Sequence, residues 1–457
     1  MYDVAIIGGG PGGYASALYA HNFGLSVALV EKAEVGGTCL HRGCIPAKAW
    51  IHTAEVFAEV ASAGEFGVVT SAPQLDWGRA LARKNAVVSQ LYRGLQGLLK
   101  QRKVEIVAGT GRLGGPGMVD VVDAAGASRR IEARKVIVAT GSVPRIIPGY
   151  EPDGTRIVTS DHALNWPARP QRVAVIGAGA IGAEFACLLA ELGSAVYLFE
   201  VFDQVLPGAE PEASKLLTGI LTKKGIQVRT GVTVDPPIQT GSGVIVPFAG
   251  ETVEVDVVLV AVGRAPLTAG VGLEEAGVRL DRGYVVADLR TMLTDAPGVY
   301  AVGDIVAGTP QLAHAGFAEG IAAITHIATG NPAPVDYRAI PLVVYTIPEV
   351  ASVGLTEQQA KAAGHDVVAH DHGLGGVGRA IIKGQAQGLV KIVSERGGPI
   401  LGATVVGPQA GELIHELMYA VAWEALPSEA AAFIHAHPTL AEAVGETLLA
   451  ASGRSLH

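Results

Sequence analysis

One short pattern occurs twice in this chain, and it limits the possible folds more than any other feature. An apolar run at residues 4–7 leads into the glycine-rich turn 8–13, and a helical stretch and a second apolar run follow. The same order returns 169 residues later around the turn 177–182. In both copies a glutamate, Glu31 or Glu200, stands 23 residues after the first glycine. Each copy therefore predicts a strand, a helix and a second, parallel strand.

Both turns have the form G-x-G-x-x-G, with Gly8, Gly10 and Gly13 in the first and Gly177, Gly179 and Gly182 in the second. The first glycine permits the tight turn, the second lets the backbone approach a pyrophosphate, and the third lets the helix pack closely on the strand. The N-terminus of the helix favours phosphate groups, and the glutamate accepts hydrogen bonds from a ribose. Two such units predict two dinucleotide sites, with electron transfer between two cofactors.

The rest of the chain predicts further strands and a separate C-terminal region. Apolar strands end at Thr140-Gly141, at Gly263 and at Gly303-Asp304, and a stretch of small residues at 312–329 predicts a helix. After about Tyr337 the pattern predicts strands at 343–346, 388–393 and 400–406, and helices at 410–423 and 440–450. We therefore predict an α/β protein with two Rossmann-like dinucleotide-binding domains and a C-terminal αβ domain.

Composition and charge exclude several partner classes. The net charge of the 457 residues is −9, whereas a nucleic-acid partner needs a basic surface that neutralises phosphates. No apolar stretch approaches the length of a membrane span, and no basic segment precedes the first strand as in a secretory signal. We therefore expect a cytoplasmic protein with no nucleic-acid or membrane partner. Hydrophobic residues make up 49%, which fits a large permanent interface.

Two of the three cysteines, Cys39 and Cys44, lie in the segment after Glu31. In a regular helix their Cα atoms would be about 8–9 Å apart, because the helix rises about 1.5 Å per residue. A disulfide bond tolerates about 7 Å at most, so a regular helix cannot carry it. Gly43 can supply the break, and Pro46 suits the first turn of a helix that starts near Cys44.

The surroundings of Cys44 indicate redox chemistry. A cysteine at a helix N-terminus is stabilised as a thiolate, and Lys48, four residues later, lies on the same helix face. A zinc site is the poorer interpretation, because a structural zinc needs four closely spaced ligands and only His41 is nearby. No metal is therefore expected. Cys187 falls in an apolar helix and is expected to be a core residue.

The order of these motifs resembles that of the pyridine nucleotide–disulfide oxidoreductases. The matching elements are the first turn with Glu31, Gly-Gly-Thr-Cys-x4-Cys-x-Pro-x-Lys (36–48), Ala-Thr-Gly (139–141), the second turn, Gly263-Arg264 and Gly303-Asp304. Near the C-terminus, residues 401–412 and His-Ala-His-Pro-Thr-Leu-Ala-Glu (435–442) resemble the dihydrolipoyl dehydrogenases of that family. The resemblance spans essentially the whole chain. One departure is His41-Arg42, where the family usually has Asn-Val.

The resemblance implies four domains: an FAD-binding domain (1–145), an NAD-binding domain (146–268), a central domain that completes the FAD site (269–336) and an interface domain (337–457). It places FAD on Gly8, Gly10, Gly13, Glu31, Thr140, Gly141 and Asp304, and on the N-terminus of a helix that starts near Leu312, Ala313 and His314. It places NAD on Gly177, Gly179, Gly182, Glu200 and Gly263. Lys48 is expected to pair with Glu184 beside the reactive flavin nitrogen.

The implied activity is oxidation of protein-bound dihydrolipoyl groups with reduction of NAD⁺. His437 would be the general base, oriented by Glu442, and an ordinary histidine pKa of about 6.5 suits that role. The substrate thiolate would attack Cys39 and release Cys44 as a thiolate, and the electrons would pass to FAD and then as hydride to NAD⁺. The implied partners are a second copy that shares the active sites, and a lipoyl-bearing acyltransferase of a 2-oxoacid dehydrogenase complex or a glycine cleavage carrier.

Two other functions stay open at this point. One is an NAD(P)H-dependent reductase of another disulfide or of a quinone on the same fold. The other is a catalytically idle flavoprotein that serves as a structural subunit, which the presence of both cysteines, His437 and Glu442 counts against. Residues 451–457 lack the cysteine pair of mercuric reductases, and no arginine follows Glu200 to hold a 2′-phosphate as in glutathione reductases.

Overall fold

A computed structural model describes the whole chain, Met1–His457, which forms two compact units. The first unit contains Met1–Ala49, Leu81–Arg145 and Arg264–Val335, and the second contains Trp50–Ala80, Ile146–Gly263 and Asp336–His457. None of the helices has both the length and the apolar character that a membrane span requires.

The helices are α1 Pro11–Ala20, α2 Gly37–Arg42, α3 Cys44–Ser62, α4 Trp77–Gln101, α5 Ser160–Ala163, α6 Ala180–Glu191, α7 Pro211–Lys223, α8 Ala313–Thr329, α9 Glu357–Ala362, α10 Gly378–Ile382, α11 Ala410–Ala422, α12 Pro427–Ala430 and α13 Glu442–Ala451.

The strands up to the end of the second dinucleotide unit are β1 Tyr2–Ile7, β2 Val27–Glu31, β3 Glu105–Ala108, β4 Thr110–Gly115, β5 Met118–Val122, β6 Ser128–Val138, β7 Ser142–Pro144, β8 Ile157–Thr159, β9 Arg172–Ile176, β10 Ala195–Phe199, β11 Gln227–Arg229, β12 Ile238–Gln239, β13 Val244–Phe248, β14 Glu251–Val255, β15 Val257–Val260 and β16 Arg264–Pro266. The later strands are β17 Leu280–Asp281, β18 Tyr284–Val285, β19 Ala287–Asp288, β20 Leu293–Thr294, β21 Val299–Ala301, β22 Leu342–Val344, β23 Glu349–Gly354, β24 Val367–Gly373, β25 Leu389–Glu395 and β26 Ile400–Gly407.

The first unit is built on one sheet with the order β19-β20-β21-β6-β1-β2-β3. Its centre is parallel: β1 pairs with β2 and β6, and β6 pairs with β21. The apolar run of β1 is buried, as expected for a parallel strand covered on both faces. Helices α1 and α8 pack against each other, and β4 and β5 extend β6 as an antiparallel ribbon. The carboxyl ends of β1, β6 and β21 carry the first glycine turn, Thr140-Gly141 and Gly303-Asp304.

The second unit contains a parallel sheet with the order β11-β10-β9-β15-β8 and a small antiparallel sheet, β12-β13-β14. A separate antiparallel sheet, β22-β23-β26-β25-β24, follows in the C-terminal part of the chain. Helix α11 packs on β23 and β26, and helix α13 packs on β24 and β25. The core of this part is mostly aliphatic, with buried Val, Ile, Leu and Ala side chains.

The secondary structure around both glycine turns is as the sequence predicted, and in the C-terminal region the three predicted strands and two predicted helices are present, whereas β23 and β24 were not predicted. The helix expected at 312–329 is α8, and Cys187 is buried in α6 as expected. The sequence did not predict the 25-residue helix α4 or the ribbon β4–β5–β6. The boundaries of the four predicted domains stay a prediction.

Candidate active site

The two cysteines lie on either side of a break between two helices. Helix α2 ends at Arg42, Gly43 has φ −148° and ψ −113°, and Cys44 is the first residue of α3. The helix interruption at Gly43 is therefore confirmed, as is the position of Pro46 in the first turn. Both cysteines are thiols here, and their side chains are within hydrogen-bonding contact of each other. The break thus brings together two sulfur atoms that a continuous helix would hold apart.

Charges nearby act on the reduced pair. The hydrogen bond with Cys44, burial, and a negative charge at Cys44 raise the pKa of Cys39 far above its ordinary value. The positive charge of Lys48 opposes this rise in the pKa of Cys39, and the carboxylate of Asp304 adds to it. A thiolate at Cys44 therefore disfavours a second thiolate at Cys39.

Tyr14, on α1, also lies near the cysteines, and the sequence did not single it out. Burial raises the pKa of Tyr14 to about 12, and negative charges at Cys39 and Cys44 contribute to that rise. Its ring contacts Phe317 of α8, with ring centroids 5.5 Å apart. The Tyr14 side chain is therefore an uncharged neighbour of the two thiols at physiological pH. The sequence feature that could have indicated Tyr14 was its position directly after the third glycine of the first turn.

The first glycine turn has the tight geometry that its spacing predicted. Gly8 has φ +105°, and a Cβ added at Gly13 would lie 1.8 Å from the Gly8 carbonyl oxygen. Space beside Gly10 is open, since an added Cβ would meet only one atom, at 4.0 Å. The Glu31 carboxylate accepts hydrogen bonds from the backbone N–H groups of Gly9 (2.7 Å) and Ala33 (2.8 Å). The turn thus leaves an open backbone face beside a fixed carboxylate.

The second glycine turn repeats these features in the second unit. Gly177 has φ +99°, an added Cβ at Gly182 would lie 1.8 Å from the Gly177 oxygen, and Gly179 has open space beside it. The Glu200 carboxylate accepts hydrogen bonds from the backbone N–H groups of Ala178 (2.6 Å) and Phe202 (3.1 Å). Gly263, with φ +105°, is likewise open.

The remaining predicted residues of the first unit gather at the carboxyl ends of its strands. Thr140 donates a hydrogen bond through Oγ1 to the Leu267 carbonyl (2.6 Å), and Gly141 has open space beside it. The Asp304 carboxylate accepts a hydrogen bond from the Ser142 hydroxyl. Helix α8 begins at Ala313 with Leu312 as its N-cap residue, so the predicted helix start is confirmed.

The C-terminal histidine motif forms a hydrogen-bonded pair. His437 Nδ1 lies 2.7 Å from Glu442 Oε1, and the other carboxylate oxygen accepts from the Thr439 N–H at 2.8 Å. The hydrogen bonds from His437 and Thr439 lower the pKa of Glu442, which keeps it ionised. Since a carboxylate only accepts, Nδ1 carries the proton and Nε2 is left to accept one. The imidazole is 78% exposed, so Nε2 is accessible.

A second hydrogen-bonded pair of a histidine and a glutamate involves His435, two residues before His437. His435 Nε2 lies 2.7 Å from Glu416 Oε1, and this hydrogen bond raises the pKa of His435. The ring of His435 packs against Gly445, where an added Cβ would lie 2.6 Å from Nδ1. His435 is thus held between Glu416 and Gly445.

Lys48 and Glu184 belong to different units, and their expected pairing stays a prediction. Lys48 lies on α3, one helical turn after Cys44. Glu184 is buried on α6 and accepts a hydrogen bond from the Tyr345 N–H at 3.0 Å.

Comparisons with known proteins agree with this arrangement. Residues 2–320 match the family model "Pyridine nucleotide-disulphide oxidoreductase", and residues 340–448 match the dimerisation domain of the same family. The chain is 40% identical to the dihydrolipoyl dehydrogenase of Bacillus subtilis, over 100% of this chain and 99% of the relative. It is 42% identical to the dihydrolipoyl dehydrogenase of Thermus scotoductus, over 100% and 98%. The crystal structure of LpdA from Mycobacterium tuberculosis superimposes with a TM-score of 0.90 at 30% identity, covering 97% of this chain and 98% of that one.

The chain belongs to the pyridine nucleotide-disulphide oxidoreductase family, among its dihydrolipoyl dehydrogenases. The family and fold class predicted from the motifs are thereby confirmed. As a family member the protein is an FAD-dependent oxidoreductase whose cofactors are FAD and NAD. Its dimerisation domain supports a homodimer.

The residues of this pyridine nucleotide-disulphide oxidoreductase fit both cofactors. Open backbone beside Gly10 and Gly179 leaves room for a pyrophosphate at the N-termini of α1 and α6. The carboxylates of Glu31 and Glu200 are fixed by backbone donors, and each oxygen keeps a lone pair for a ribose hydroxyl.

Proposed function

We propose that the chain oxidises dihydrolipoyl groups through Cys39 and Cys44 and passes the electrons through FAD to NAD⁺. The observation that carries this proposal is the contact between the two sulfur atoms across the break at Gly43. A pair of thiols held this close can alternate between dithiol and disulfide. The dihydrolipoyl dehydrogenases that match the whole chain support the choice of substrate.

In the proposed reaction His437 is the general base. Its Nε2 removes the proton from one substrate thiol, while Glu442 holds Nδ1–H and stabilises the imidazolium that forms. The resulting substrate thiolate attacks the sulfur of Cys39 in the oxidised pair. The Cys39–Cys44 bond breaks, a mixed disulfide forms at Cys39, and Cys44 leaves as a thiolate.

The second half of the exchange releases the product. The second substrate thiol attacks the substrate sulfur bound to Cys39 and closes the cyclic disulfide, while its proton passes to the departing sulfur of Cys39. The pair is left reduced, with Cys39 as a thiol and Cys44 as a thiolate. The positive charge of Lys48 stabilises negative charge on the pair during both steps. Bound FAD supplies the two-electron acceptance that reoxidises the pair, and NAD⁺ carries the electrons away as hydride.

We assign the cofactor-binding residues by the same reasoning. FAD lies on Gly8, Gly10, Gly13, Glu31, Thr140, Gly141 and Asp304, with the start of α8 at Leu312, Ala313 and His314 facing the flavin. The dipole at the N-terminus of α8 would then favour negative charge on the bound cofactor. NAD lies on Gly177, Gly179, Gly182, Glu200 and Gly263. Lys48 pairs with Glu184.

The site is proposed to be shared between two subunits, with His437 of one subunit meeting the cysteines of the other. The natural electron donor is proposed to be a lipoyl-bearing acyltransferase of a 2-oxoacid dehydrogenase complex or a glycine cleavage carrier. We propose a cytoplasmic location for this assembly.

A steady-state panel tests the substrate. Dihydrolipoamide, reduced glutathione and quinols are supplied with NAD⁺ or NADP⁺, and lipoamide, glutathione disulfide and quinones are supplied with NADH or NADPH. We expect dihydrolipoamide with NAD⁺, and lipoamide with NADH in the reverse direction, to exceed the glutathione and quinone pairs by at least about a hundredfold in kcat/KM, which corresponds to about 2.8 kcal/mol, and to exceed the NADP(H) pairs by at least about tenfold. If kcat/KM were highest with a quinone or with another disulfide, that compound class would be the substrate instead of dihydrolipoyl groups. No turnover in any combination would indicate a structural subunit.

A mixing experiment tests the shared site. Cys44→Ser and His437→Gln, each of which should be inactive by itself, are co-expressed with different tags. If the site is shared, each mixed dimer contains one site with both native groups, and about half of the dimers are mixed. Activity should recover to roughly a quarter of the wild-type level. Recovery no greater than that of the parent variants, with mixed dimers shown by tag pull-down, would place the whole site within one subunit.

A further inference from the structure

A short ribbon in the first unit places an arginine beside the candidate flavin site. Strand β7 (Ser142–Pro144) pairs antiparallel with β16 (Arg264–Pro266). The ribbon is continued by a hydrogen bond from the Leu267 N–H to the Gly141 carbonyl (2.8 Å). Arg264 is the first residue of the segment with which the chain returns to this unit. The position of its side chain is therefore set by strand pairing.

The guanidinium of Arg264 donates hydrogen bonds to the hydroxyl and to the carbonyl oxygen of Ser142. Its Nε donates to Ser142 Oγ at 2.7 Å, and its Nη2 donates to the Ser142 carbonyl at 2.8 Å. The Ser142 hydroxyl in turn contacts Asp304 Oδ2. Because a guanidinium only donates, Ser142 Oγ must accept from Arg264, and its single proton must point to Asp304. The direction of the chain Arg264 → Ser142 → Asp304 is thus fixed by chemistry.

This chain of hydrogen bonds determines how Asp304 presents its charge. One carboxylate oxygen is held by Ser142, which is itself buried, and the other oxygen is left for a different donor. The preceding residue, Gly303, is also fixed, since its N–H donates to the buried Glu319 carboxylate at 2.5 Å. One hydrogen bond of this chain comes from the ionised guanidinium and the other goes to the ionised carboxylate, and hydrogen bonds with an ionised partner are stronger than those between neutral groups.

We propose that Arg264 and Ser142 are positioning residues of the flavin site, which orient Asp304 toward a cofactor hydroxyl and partly neutralise its charge. This inference rests on the assignment of Asp304 to FAD made above. The partial neutralisation matters for the thiols, because Asp304 is one of the groups that raise the pKa of Cys39. Loss of the arginine would leave a stronger negative field at the flavin and at the cysteines.

The test measures FAD binding directly, without dithiol turnover. Apoprotein is titrated with FAD, and the quenching of flavin fluorescence gives Kd. Ser142→Ala and Arg264→Met should each raise Kd about tenfold to a hundredfold, as expected for the loss of charge-assisted hydrogen bonds. Ser142→Thr retains the hydroxyl and should restore binding to within about threefold of the wild type. Arg112→Met removes an exposed ion pair with Glu275 in the same unit and should leave Kd unchanged.

A second readout separates positioning from folding. The midpoint potential of bound flavin in Arg264→Met should shift to more negative values, because a cation that favours added electrons is gone, whereas Arg112→Met should not shift it. Wild-type Kd in Ser142→Ala, or an unshifted potential in Arg264→Met, would overturn the proposal. Equal losses in Ser142→Thr and Ser142→Ala would assign the effect to packing instead. A failure of dihydrolipoyl turnover in the wild type would leave these binding results untouched.

Discussion

The two dinucleotide units of this chain have nearly identical turns but different surroundings. Gly13 and Gly182, 169 residues apart, would each bring an added Cβ to 1.8 Å from a carbonyl oxygen of the same turn. The N-cap glycines Gly10 and Gly179 have almost the same backbone, with φ and ψ of −71° and −173°, and −69° and −173°. The close contact between the first and third glycines thus leaves each turn little conformational freedom.

The difference lies on the outer side of the helix that follows each turn. In the first unit Gly12 and Ser16 face α8, and an added Cβ at Gly320 of α8 would lie 2.8 Å from the Gly12 oxygen and 2.7 Å from Ser16 Oγ. At the corresponding positions of the second unit stand Ile181 and Phe185. Small residues admit a second helix against α1, and large ones fill that space on α6. The first site therefore has two helix N-termini available where the second has one.

The largest expected effect comes from replacing the third glycine of each turn, one turn at a time. Gly13→Ala should weaken FAD binding by at least about a hundredfold, because its Cβ meets backbone that cannot move without opening the turn. Gly182→Ala should raise KM for NAD⁺ by a similar factor and leave the flavin content unchanged. The measurements are flavin absorbance per protein and initial rates at varied NAD⁺. Loss of flavin in Gly182→Ala would show that the two sites do not fold independently.

The turns themselves could be predicted from the sequence, because the needed information lies within about 25 residues. Spacing alone indicated the strand, the turn, the helix and the acidic residue in both copies. The packing of α8 on α1 could not be predicted, since Gly12 and Gly320 are distant in the chain and each glycine alone fits many structures. The same reason hid the ribbon that joins Ser142 to Arg264.

In the candidate site, too, the features that depend on nearby residues were predicted and those that depend on distant residues were not. Gly43, Pro46 and the His437–Glu442 pair were predicted, because each depends on neighbours within a few residues or on a motif carried by resemblance. Tyr14 was not singled out, because it comes near the cysteines only once α1 has packed close to α2 and the start of α3. Asp304 was predicted by resemblance, but the hydrogen bonds that orient it depend on residues from three separate segments.

A smaller effect is expected from disturbing the helix pair that only the first unit has. Gly320→Ala forces a methyl group against the Gly12 oxygen and Ser16, and overpacking of this kind costs about 1–3 kcal/mol. The temperature at which flavin is released should fall, while KM for NAD⁺ stays the same. Flavin fluorescence during a thermal ramp measures the release.

Gly219→Ala in α7 is the matched control. An added Cβ at Gly219 has no atom within 4 Å, and alanine is the better helix former by about 1 kcal/mol. This variant should unfold at the same temperature as the wild type or slightly higher. A flavin release temperature in Gly320→Ala equal to that of the wild type would mean that α8 can shift without cost, and that the helix pair does not distinguish the two sites.

The smallest expected effect concerns the two glutamates, which share a hydrogen-bonding pattern but are assigned in our proposal to different cofactors. A carboxylate at Glu200 hydrogen-bonds a ribose and repels a 2′-phosphate, so NAD⁺ should be preferred over NADP⁺ by at least about tenfold, or 1.4 kcal/mol. Glu200→Gln keeps the size and removes the charge, and should narrow this ratio of kcat/KM values. Glu31→Gln makes the same change in the first unit and should weaken FAD binding without altering the ratio. If Glu31→Gln changed the NAD⁺/NADP⁺ ratio as much as Glu200→Gln, or if NADP⁺ served the wild type equally well, the assignment of one cofactor to each turn would be wrong.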